Sequence, residues 1–570
     1  MRRSIPAVLC TAALTSASPA ASQEPDSTGS DWTDGGVCYE IFVRSFYDSD
    51  GDGIGDLQGL IRKLEYVNDG DPASRGDLGA SCIWLMPVAA SPSYHGYDVT
   101  NYYRIDPRYG SNEDFKRLID EAHRRGIRVL VDMVVNHASD AHPYFKHALL
   151  YPESPYRDWF RWSDTPGPDN EYGDNNWHRS PVRDEYYYGF FSPRMPDLNW
   201  ETTAVREEMK RVATFWLEEM GADGFRLDAV RHLMESADGV STNVPRTHDM
   251  LREYAAHIRA VAPDAFTVGE VFDSTDALLA YYPGQFDSYF AFEVADAILE
   301  AVRTGASTKL LESVLRLQGA VPNDRWSPFL RNHDQTRTLT VLEGDLERAK
   351  LAASLLLTLP GVPFVYYGEE IGMTGDKPDP RIRTPMHWSR GPSAGFTAGM
   401  PWEPLRPDSL TANVAAMEED PGSLLNLYRQ LIHLRAEHPA LGAGELIPLD
   451  PGTEAVAAYL RRKGDRVALV VANLGATPLP SVALSSDAPV LPAGRYMPTA
   501  LLGRDPARPL EVGADGRLRG YVPIPELAPL QTYIFDIPSP ISRRSREVDP
   551  QRRHARHEQD GQHAVLTQPR

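Results

Sequence analysis

Short apolar runs rich in β-forming residues recur between amphipathic helical stretches along most of the chain. Eight such runs occur, at residues 37–46, 81–88, 128–137, 221–230, 265–272, 286–294, 326–334 and 361–370. Helical patterns separate several of them, for example SNEDFKRLIDEAHRRG (111–126) and TTAVREEMKRVATFWLEEMG (202–221). Strands that alternate with helices build parallel sheets, because each parallel strand is reached through a crossover. Eight such units predict an α/β fold, a (β/α)8 TIM barrel.

Two departures from this alternation predict further domains. Residues 138–200, rich in Tyr, Trp, Pro and Asp, are too many for a structureless loop and predict a small domain inserted after the third strand. The barrel then comprises residues 32–137 and 201–438. Short alternating runs within 439–538 predict a C-terminal antiparallel β-sandwich, and the Arg-rich residues 539–570, which lack aromatics, predict a disordered tail.

The N-terminus predicts export. Residues 1–22 contain two arginines, a short apolar run and then small residues, the pattern of a secretory signal peptide. A buried first helix is the alternative, but no amphipathic pattern supports it. We therefore expect a secreted or periplasmic protein, and we expect a monomer. The net charge of −21 disfavours nucleic acid and anionic membranes as partners, and no other run is long and apolar enough to span a bilayer.

Two cysteines remain once the signal peptide is removed. Cys38 and Cys82 both lie in predicted strands. The sequence favours two buried thiols over a disulfide.

Polar side chains stand at the carboxyl ends of four predicted strands, where barrels of this kind carry their catalytic groups. These residues are Asp132, Asn136 and His137; Arg226 and Asp228; Glu270; and Asn332, His333 and Asp334. A single acid at a strand end is more often a cap or an ion-pair partner. Four strands of one barrel ending in this way indicate a site, and its clustered carboxylates suit glycoside hydrolysis.

Arg226 and Asp228 are two charges in an otherwise apolar strand, GADGFRLDAV (221–230). Because successive strand side chains alternate, both face the same way, and the guanidinium is expected to lower the pKa of Asp228. Glu270, crowded by other carboxylates, is expected to have a raised pKa and to hold a proton near neutral pH. Asp334 and the histidines are expected to bind sugar hydroxyls.

Five of these segments resemble the ordered sequence regions of the α-amylase family of glycoside hydrolases. They are DMVVNH (132–137), MPDLN (195–199), GFRLDAVRH (224–232), VGEVF (268–272) and FLRNHD (329–334). The MPDLN form resembles α-amylases that are intermediate with oligo-1,6-glucosidases. The resemblance spans roughly residues 35–535 and implies the same barrel, inserted domain and C-terminal β-sandwich.

The resemblance also implies roles for single residues. Asp228 matches the nucleophile, Glu270 the acid/base and Asp334 the stabiliser of the transition state. The remaining matches are candidate substrate-binding residues around the cleaved bond: Tyr97, His137, Arg226, Arg231, His232 and His333. The Trp- and Tyr-rich insert supplies either stacking platforms for sugars or its own packed core.

The segment DSDGDGIGD (48–56) predicts a structural calcium site. Asp48, Asp50, Asp52 and Asp56 lie close together, Gly53 allows a sharp turn, and the Ile54 carbonyl is a further expected ligand. The loop departs from an EF-hand at its twelfth position, which is Gly59 rather than Glu. A solvated acidic turn is the alternative, but four acids this close repel one another without a cation.

The resemblance favours cleavage of internal α-1,4 bonds in starch-like α-glucans. Ala229 follows the matched nucleophile, and Tyr94 and His95 stand where exo-acting relatives place an acid that closes the cleft. Two alternatives remain open: an α-glucosidase or transglycosylase of the same family, and a non-catalytic glucan-binding protein. The last is disfavoured because all three carboxylates are retained.

Overall fold

The computed structural model describes residues 31–503 and 505–540. The predicted signal peptide (1–22) lies outside these residues, as does the predicted tail (539–570) apart from its first two residues.

Seven parallel strands form one sheet, and each coincides with one of the eight apolar runs. They are β1 (Cys38–Ile41), β2 (Cys82–Leu85), β3 (Arg128–Met133), β4 (Gly224–Leu227), β5 (Phe266–Gly269), β6 (Ser288–Tyr289) and β7 (Phe364–Tyr366). Along the sheet the order is β6-β5-β4-β3-β2-β1-β7. The predicted TIM barrel is confirmed.

The seventh apolar run, 326–334, closes the barrel without forming a regular strand. Ser327 makes a parallel bridge with Phe290 beyond β6. On the other side, the carbonyls of Trp326 and Pro328 accept hydrogen bonds from Val362 and Phe364, at 3.0 and 2.9 Å. Proline has no N–H to contribute to a ladder, so a run centred on Pro328 pairs only in part.

The barrel strands alternate their side chains between two separate cores. A small cluster fills the barrel interior and includes Cys38, Trp84, Leu130 and Phe364. The opposite face of the strands packs against the surrounding helices in a much larger cluster. Because both faces are buried, a polar residue on the inner face needs partners inside the barrel.

In the described part of the chain, eight longer helices pack around the sheet. They span Leu57–Val67, Asn112–His123, Thr203–Thr214, Pro245–Val261, Phe292–Thr304, Thr308–Ala320, Leu346–Thr358 and Leu424–Glu437. Shorter helices span Val43–Phe46, Pro143–Leu150, Thr275–Leu279, Thr338–Val341, Asp379–Ile382, Val414–Glu418 and Pro439–Ala443. The helix predicted at 111–126 begins with a capping box between Ser111 and Asp114. Among the helices of residues 31–503 and 505–540, none has the length and apolar character to cross a membrane.

The segments predicted as extra domains carry their own sheets. Between β3 and Thr203 lie strands Trp162–Ser163, Trp177–Arg179 and Tyr186–Tyr188, which form one antiparallel sheet. After residue 444, strands Glu445–Pro448, Val456–Lys463, Arg466–Asn473, Thr499–Leu502 and Thr532–Ile537 form a five-stranded sheet. Short strands pair as Leu479–Pro480 with Glu526–Leu527 and Gly494–Tyr496 with Leu510–Val512. A two-strand ribbon, Ala89–Ala90 with Asn101–Ile105, follows β2.

Cys38 and Cys82 form a disulfide, so the expectation of two free thiols is wrong. The two residues are direct partners in the parallel pairing of β1 with β2, and both are fully buried on the inner face of the barrel. The sequence placed them in separate strands but did not reveal that the register of the two strands aligns them.

Candidate active site

Three of the four carboxylates predicted at strand ends, Asp132, Asp228 and Glu270, share one arginine. Arg226, which is 1% exposed, points into the barrel from β4. Its Nη1 lies 2.7 Å from Asp228 Oδ1 and 2.8 Å from Asp132 Oδ1, and its Nη2 lies 2.6 Å from Glu270 Oε2. A single guanidinium therefore connects acids from three neighbouring strands.

The backbone continues the sheet ladder to these acids and so fixes where they lie. The Asp228 N–H donates to Met133 O at 3.1 Å, and the Glu270 N–H donates to Leu227 O at 3.0 Å. Directly after Asp228 the chain turns at Ala229, whose φ of 49° is left-handed. This turn directs the Ala229 N–H to Glu270 Oε2 at 3.1 Å.

The pKa of Asp228 is raised overall, although Arg226 acts to lower it as expected. Burial is the largest cause, and the opposing effect of Arg226 is smaller, since this arginine is shared with Asp132 and Glu270. The pKa of Glu270 is raised as expected. Burial is again the largest cause, Arg226 opposes it, and crowding by Asp228 and Asp334 adds to it.

Asp334 has the opposite electrostatic environment. Burial acts to raise its pKa, but His333 and Arg383 outweigh burial and hold the pKa well below its usual value. His333 Nε2 lies 3.1 Å from Asp334 Oδ2, and Arg383 Nη2 lies 2.7 Å from Asp334 Oδ1. The Asp334 side chain is 44% exposed, and its lowered pKa favours the ionised form near neutral pH.

Tyr97 links the acids held by Arg226 to the pair formed by His333 and Asp334. Its hydroxyl lies 2.6 Å from His333 Nε2 and donates to Asp132 Oδ2 at 3.0 Å. Its ring stacks on that of His333, with centroids 5.6 Å apart and planes 14° from parallel. The predicted residues Tyr97, Arg226 and His333 therefore contact the carboxylate cluster directly.

The other three predicted substrate-binding residues lie beside the cluster. His137 is buried, and burial lowers its pKa to about 4. His232, whose pKa burial lowers to about 3, stacks on Phe190 at 4.0 Å. Arg231 pairs with Asp273, three residues beyond Glu270, at 3.1 Å. Within the described part of the chain, none of these three residues makes a hydrogen bond or ion pair with Asp228, Glu270 or Asp334.

Sequence reasoning missed three residues of this site. Asp132 was noted at its strand end but not assigned to the site, and it is buried against Arg226. Glu40, in the apolar strand β1, lies 2.6 Å from His333 Nδ1. Glu40 could have been noticed in the sequence, because it is a charged residue inside an apolar run, VCYEIFV, just as Arg226 is in its own strand. Arg383 lies in a loop, where no periodicity marks a functional residue.

The aromatic residues of the insert mostly pack against one another. Trp159, Tyr187 and Tyr188 are buried. Trp162 is sandwiched between Phe145 at 5.7 Å and the Arg157 guanidinium at 3.6 Å. Of the two readings left open by the sequence, these four residues fit core packing.

The acidic loop brings three of its predicted ligands together. One carboxylate oxygen from each of Asp48, Asp50 and Asp56 lies within 4.8 Å of the others, and Asp52 is outside this group. Gly53 turns with a φ of 94°, as predicted. Asp56 also caps the helix Leu57–Val67 by accepting from the Gly59 N–H at 2.8 Å. An all-oxygen set of this charge fits Ca²⁺, which prefers carboxylate and carbonyl ligands.

A TIM barrel with an acid cluster at the carboxyl ends of its strands is the architecture of a glycoside hydrolase. The family model described as "Alpha amylase, catalytic domain" matches residues 40–444. The chain belongs to the α-amylase family and is a glycosidase.

The chain is similar to several curated members of this family. It is 40% identical over 450 residues to alpha-amylase 3 of Dictyoglomus thermophilum, covering 78% of this chain and 85% of that protein. It is 34% identical over 520 residues to a trehalose synthase/amylase of Mycolicibacterium smegmatis, covering 80% of this chain and 86% of that protein. It is 32% identical over 518 residues to an oligo-1,6-glucosidase of Parageobacillus thermoglucosidasius, covering 78% of this chain and 90% of that protein.

A solved structure has the same fold. The α-amylase from H. orenii superposes with a TM-score of 0.76 at 39% identity, and the match covers 88% of this chain and 99% of that one.

Proposed function

We propose that the protein is a retaining α-amylase that hydrolyses internal α-1,4-glucosidic bonds of starch, glycogen and maltooligosaccharides. The observation that carries the proposal is the binding of Asp228 and Glu270 to one guanidinium, next to an ionised Asp334. A double displacement needs two carboxyl groups close enough to act on the same glycosidic bond, one at the anomeric carbon and one at the leaving oxygen.

The electrostatics of the pair suit the two roles. Two neighbouring carboxyls that share one cation in a buried site do not both ionise easily, so the pair is expected to keep one proton near neutral pH. In our assignment that proton resides on Glu270, which gives it to the leaving oxygen. Asp228, ionised, attacks the anomeric carbon and forms the covalent glycosyl-enzyme. Glu270 then takes a proton from the water that hydrolyses this intermediate.

Asp334 acts electrostatically in this assignment. The transition state of glycoside cleavage carries positive charge on the sugar ring. A carboxylate that is kept ionised and faces the cleft stabilises that charge. Tyr97, stacked on His333, lies where a sugar ring would pack on its face.

Internal cleavage is supported by the residues of this chain that occupy the positions where exo-acting relatives close the cleft. Tyr94 stacks on Trp402 with centroids 5.4 Å apart, and His95 stacks on Tyr97 at 6.1 Å. Neither position carries the acid that would close the cleft. The 40% identity to a protein named alpha-amylase supports the same activity.

A second candidate is an α-glucosidase or transglycosylase that acts on short α-glucosides. The observation that favours it is the similarity, at 32–34% identity, to an oligo-1,6-glucosidase and to a trehalose synthase/amylase. A non-catalytic glucan-binding protein is less consistent with the site, because Asp228, Glu270 and Asp334 are all retained.

We further propose that the loop 48–56 holds a structural Ca²⁺ through Asp48, Asp50, Asp56 and the Ile54 carbonyl, with Asp52 as an outer contributor. We also propose export to the periplasm or the medium. The disulfide supports an oxidising compartment, since disulfides seldom persist in the cytosol. One chain supplies the whole carboxylate cluster, so we expect the monomer to be active.

Amylose digestion tests the proposed activity. Viscosity should fall well before many reducing ends appear, and the early products should be a mixture of maltooligosaccharides. Glucose as the sole early product would overturn internal cleavage. Incubation with maltose alone, followed by product analysis, distinguishes the second candidate, because only a glucosidase or transglycosylase converts it efficiently to glucose or to isomeric disaccharides.

A further inference from the structure

Glu40 is an acid buried in an apolar strand. It lies on β1, is 1% exposed, and shares the inner face of the barrel with Cys38, two residues earlier. Its Oε1 lies 2.6 Å from Nδ1 of His333. A carboxylate in such a place is costly unless a strong hydrogen bond compensates for the lost hydration. The contact with His333 supplies that bond.

Both nitrogens of His333 face hydrogen-bond acceptors. Nδ1 faces Glu40, and Nε2 lies 3.1 Å from Asp334 Oδ2 and 2.6 Å from the Tyr97 hydroxyl. An ionised carboxylate can only accept, so two carboxylates on opposite nitrogens require an N–H on each, which is the imidazolium form. The ring is flanked by Tyr97, whose plane is 14° from parallel to it, and by Trp84, whose ring meets it edge-on at 5.5 Å.

We propose that Glu40 is a positioning residue that acts on Asp334 through His333. By accepting the Nδ1–H, Glu40 fixes the orientation of the imidazole ring and keeps its second proton on Nε2. That proton then holds the Asp334 carboxylate ionised and directed at the cleft. The proposal rests on the proposed glycosidase reaction, in which Asp334 stabilises the charge of the transition state.

The charges around His333 agree with this arrangement. Burial acts to lower its pKa, but Asp334 and Glu40 outweigh burial and raise it to about 9. Asp132 and Asp228 face the imidazole from β3 and from the end of β4, and their charges also interact with His333. Two cations also belong to this group: the Arg226 guanidinium lies 5.8 Å from the Tyr97 ring, and Arg383 contacts Asp334 Oδ1.

The test is Glu40→Gln in the full-length enzyme, assayed on a short maltooligosaccharide across the pH range. Replacing the charged acceptor with a neutral amide oxygen should reduce kcat about 10- to 100-fold with little change in KM, because the weakened interaction matters mainly in the transition state. The alkaline limb of the kcat profile should move to lower pH, since His333 then loses its second proton more easily. Glu40→Asp should restore part of kcat and of the alkaline limb.

Glu370→Gln is the matched control. Glu370 is also a fully buried acid, and it accepts hydrogen bonds from Tyr39 and Tyr66 at 2.7 and 2.6 Å rather than from His333. A purely structural cost of removing a buried carboxylate should appear equally in both Gln variants. Melting temperatures of both variants establish that they fold.

A low-field imidazole N–H resonance gives a readout that does not depend on activity. The wild-type protein should show it for His333. In Glu40→Gln, whose amide oxygen still accepts but carries no charge, the resonance should move upfield, and in Glu370→Gln it should stay unchanged. A wild-type pH profile in folded Glu40→Gln, or an unchanged resonance, would overturn the proposal. The upfield shift in a protein whose wild type cleaves no α-glucan would instead overturn the proposed function and leave the Glu40–His333 contact standing.

Discussion

The Ala229 amide donates a hydrogen bond to the Glu270 carboxylate at 3.1 Å, between the ends of neighbouring barrel strands. Ala229 directly follows Asp228, and its left-handed backbone directs the N–H across to Glu270. Left-handed geometry costs a non-glycine residue about 1–2 kcal/mol, and such strain is typical of functional sites. The two candidate catalytic acids are thus linked twice, through this amide and through Arg226.

Asp228→Asn and Glu270→Gln should each abolish most activity while leaving the fold intact. Each variant removes an essential role, and general acid–base catalysis alone contributes about 100- to 10,000-fold. Initial rates on amylose and melting curves provide the measurement. Asp287→Asn is the control, since this acid accepts hydrogen bonds from the backbone N–H and the hydroxyl of Thr267, away from the carboxylate cluster. More than roughly a tenth of wild-type activity in either catalytic variant would contradict the assignment.

Chelation should lower the melting temperature if the acidic loop binds Ca²⁺. An ion present at 100 times its Kd stabilises the folded state by about 2.7 kcal/mol, which corresponds to a shift of several degrees. Asp50→Ala should melt earlier than wild type and respond less to chelator. Asp71→Ala, at another exposed turn, should respond as wild type does. Identical wild-type curves with and without chelator would argue against a bound ion.

Removing the disulfide should destabilise the barrel. Cys38 and Cys82 are separated by 44 residues, and the chain-entropy estimate for a loop of that size is about 4 kcal/mol. The double variant Cys38→Ala/Cys82→Ala should therefore melt well below the oxidised wild type, and adding reductant should not lower its melting temperature further. Because both cysteines are fully buried, reductant should act on the wild type only as it unfolds. Equal melting temperatures for the variant and the oxidised wild type would contradict the predicted contribution.

Glu369 should make stability depend on pH. Burial raises its pKa from 4.5 to about 7. The hydroxyls of Thr338 and Tyr428, which donate hydrogen bonds to this carboxylate, act to lower the pKa but are outweighed. An acid whose pKa is raised by folding binds its proton more tightly when folded, so its favourable contribution is complete below pH 4.5 and lost as the pH rises towards 7. Over that window the wild type should lose about 3 kcal/mol relative to Glu369→Gln.

Denaturant unfolding of both proteins at several pH values measures this difference. Glu347→Gln, at an exposed helix position, is the control and should track the wild type. A difference between wild type and Glu369→Gln that stays constant from pH 4 to pH 8 would show that Glu369 does not titrate in this range.

Much of the site could be predicted because its residues stand at strand ends. Asp228, Glu270, Asp334, Arg226 and His333 all contact one cluster, as their positions implied, whereas Tyr97 was identified through the family resemblance. Glu40 could have been found in the same way, as an acid inside an apolar strand. Arg383 could not, because it reaches Asp334 from a loop after the last strand, and loop conformation leaves no periodic signal.

Periodicity and composition determined the architecture. Alternating strands and helices require a parallel sheet with both faces covered, and seven of the eight apolar runs became strands of that sheet. Tertiary structure alone decided three things: the pairing of Cys38 with Cys82, the incomplete strand at Pro328 and the raised pKa of Asp228. Each depends on register, burial or shared neighbours, which are set by distances between residues far apart in the chain.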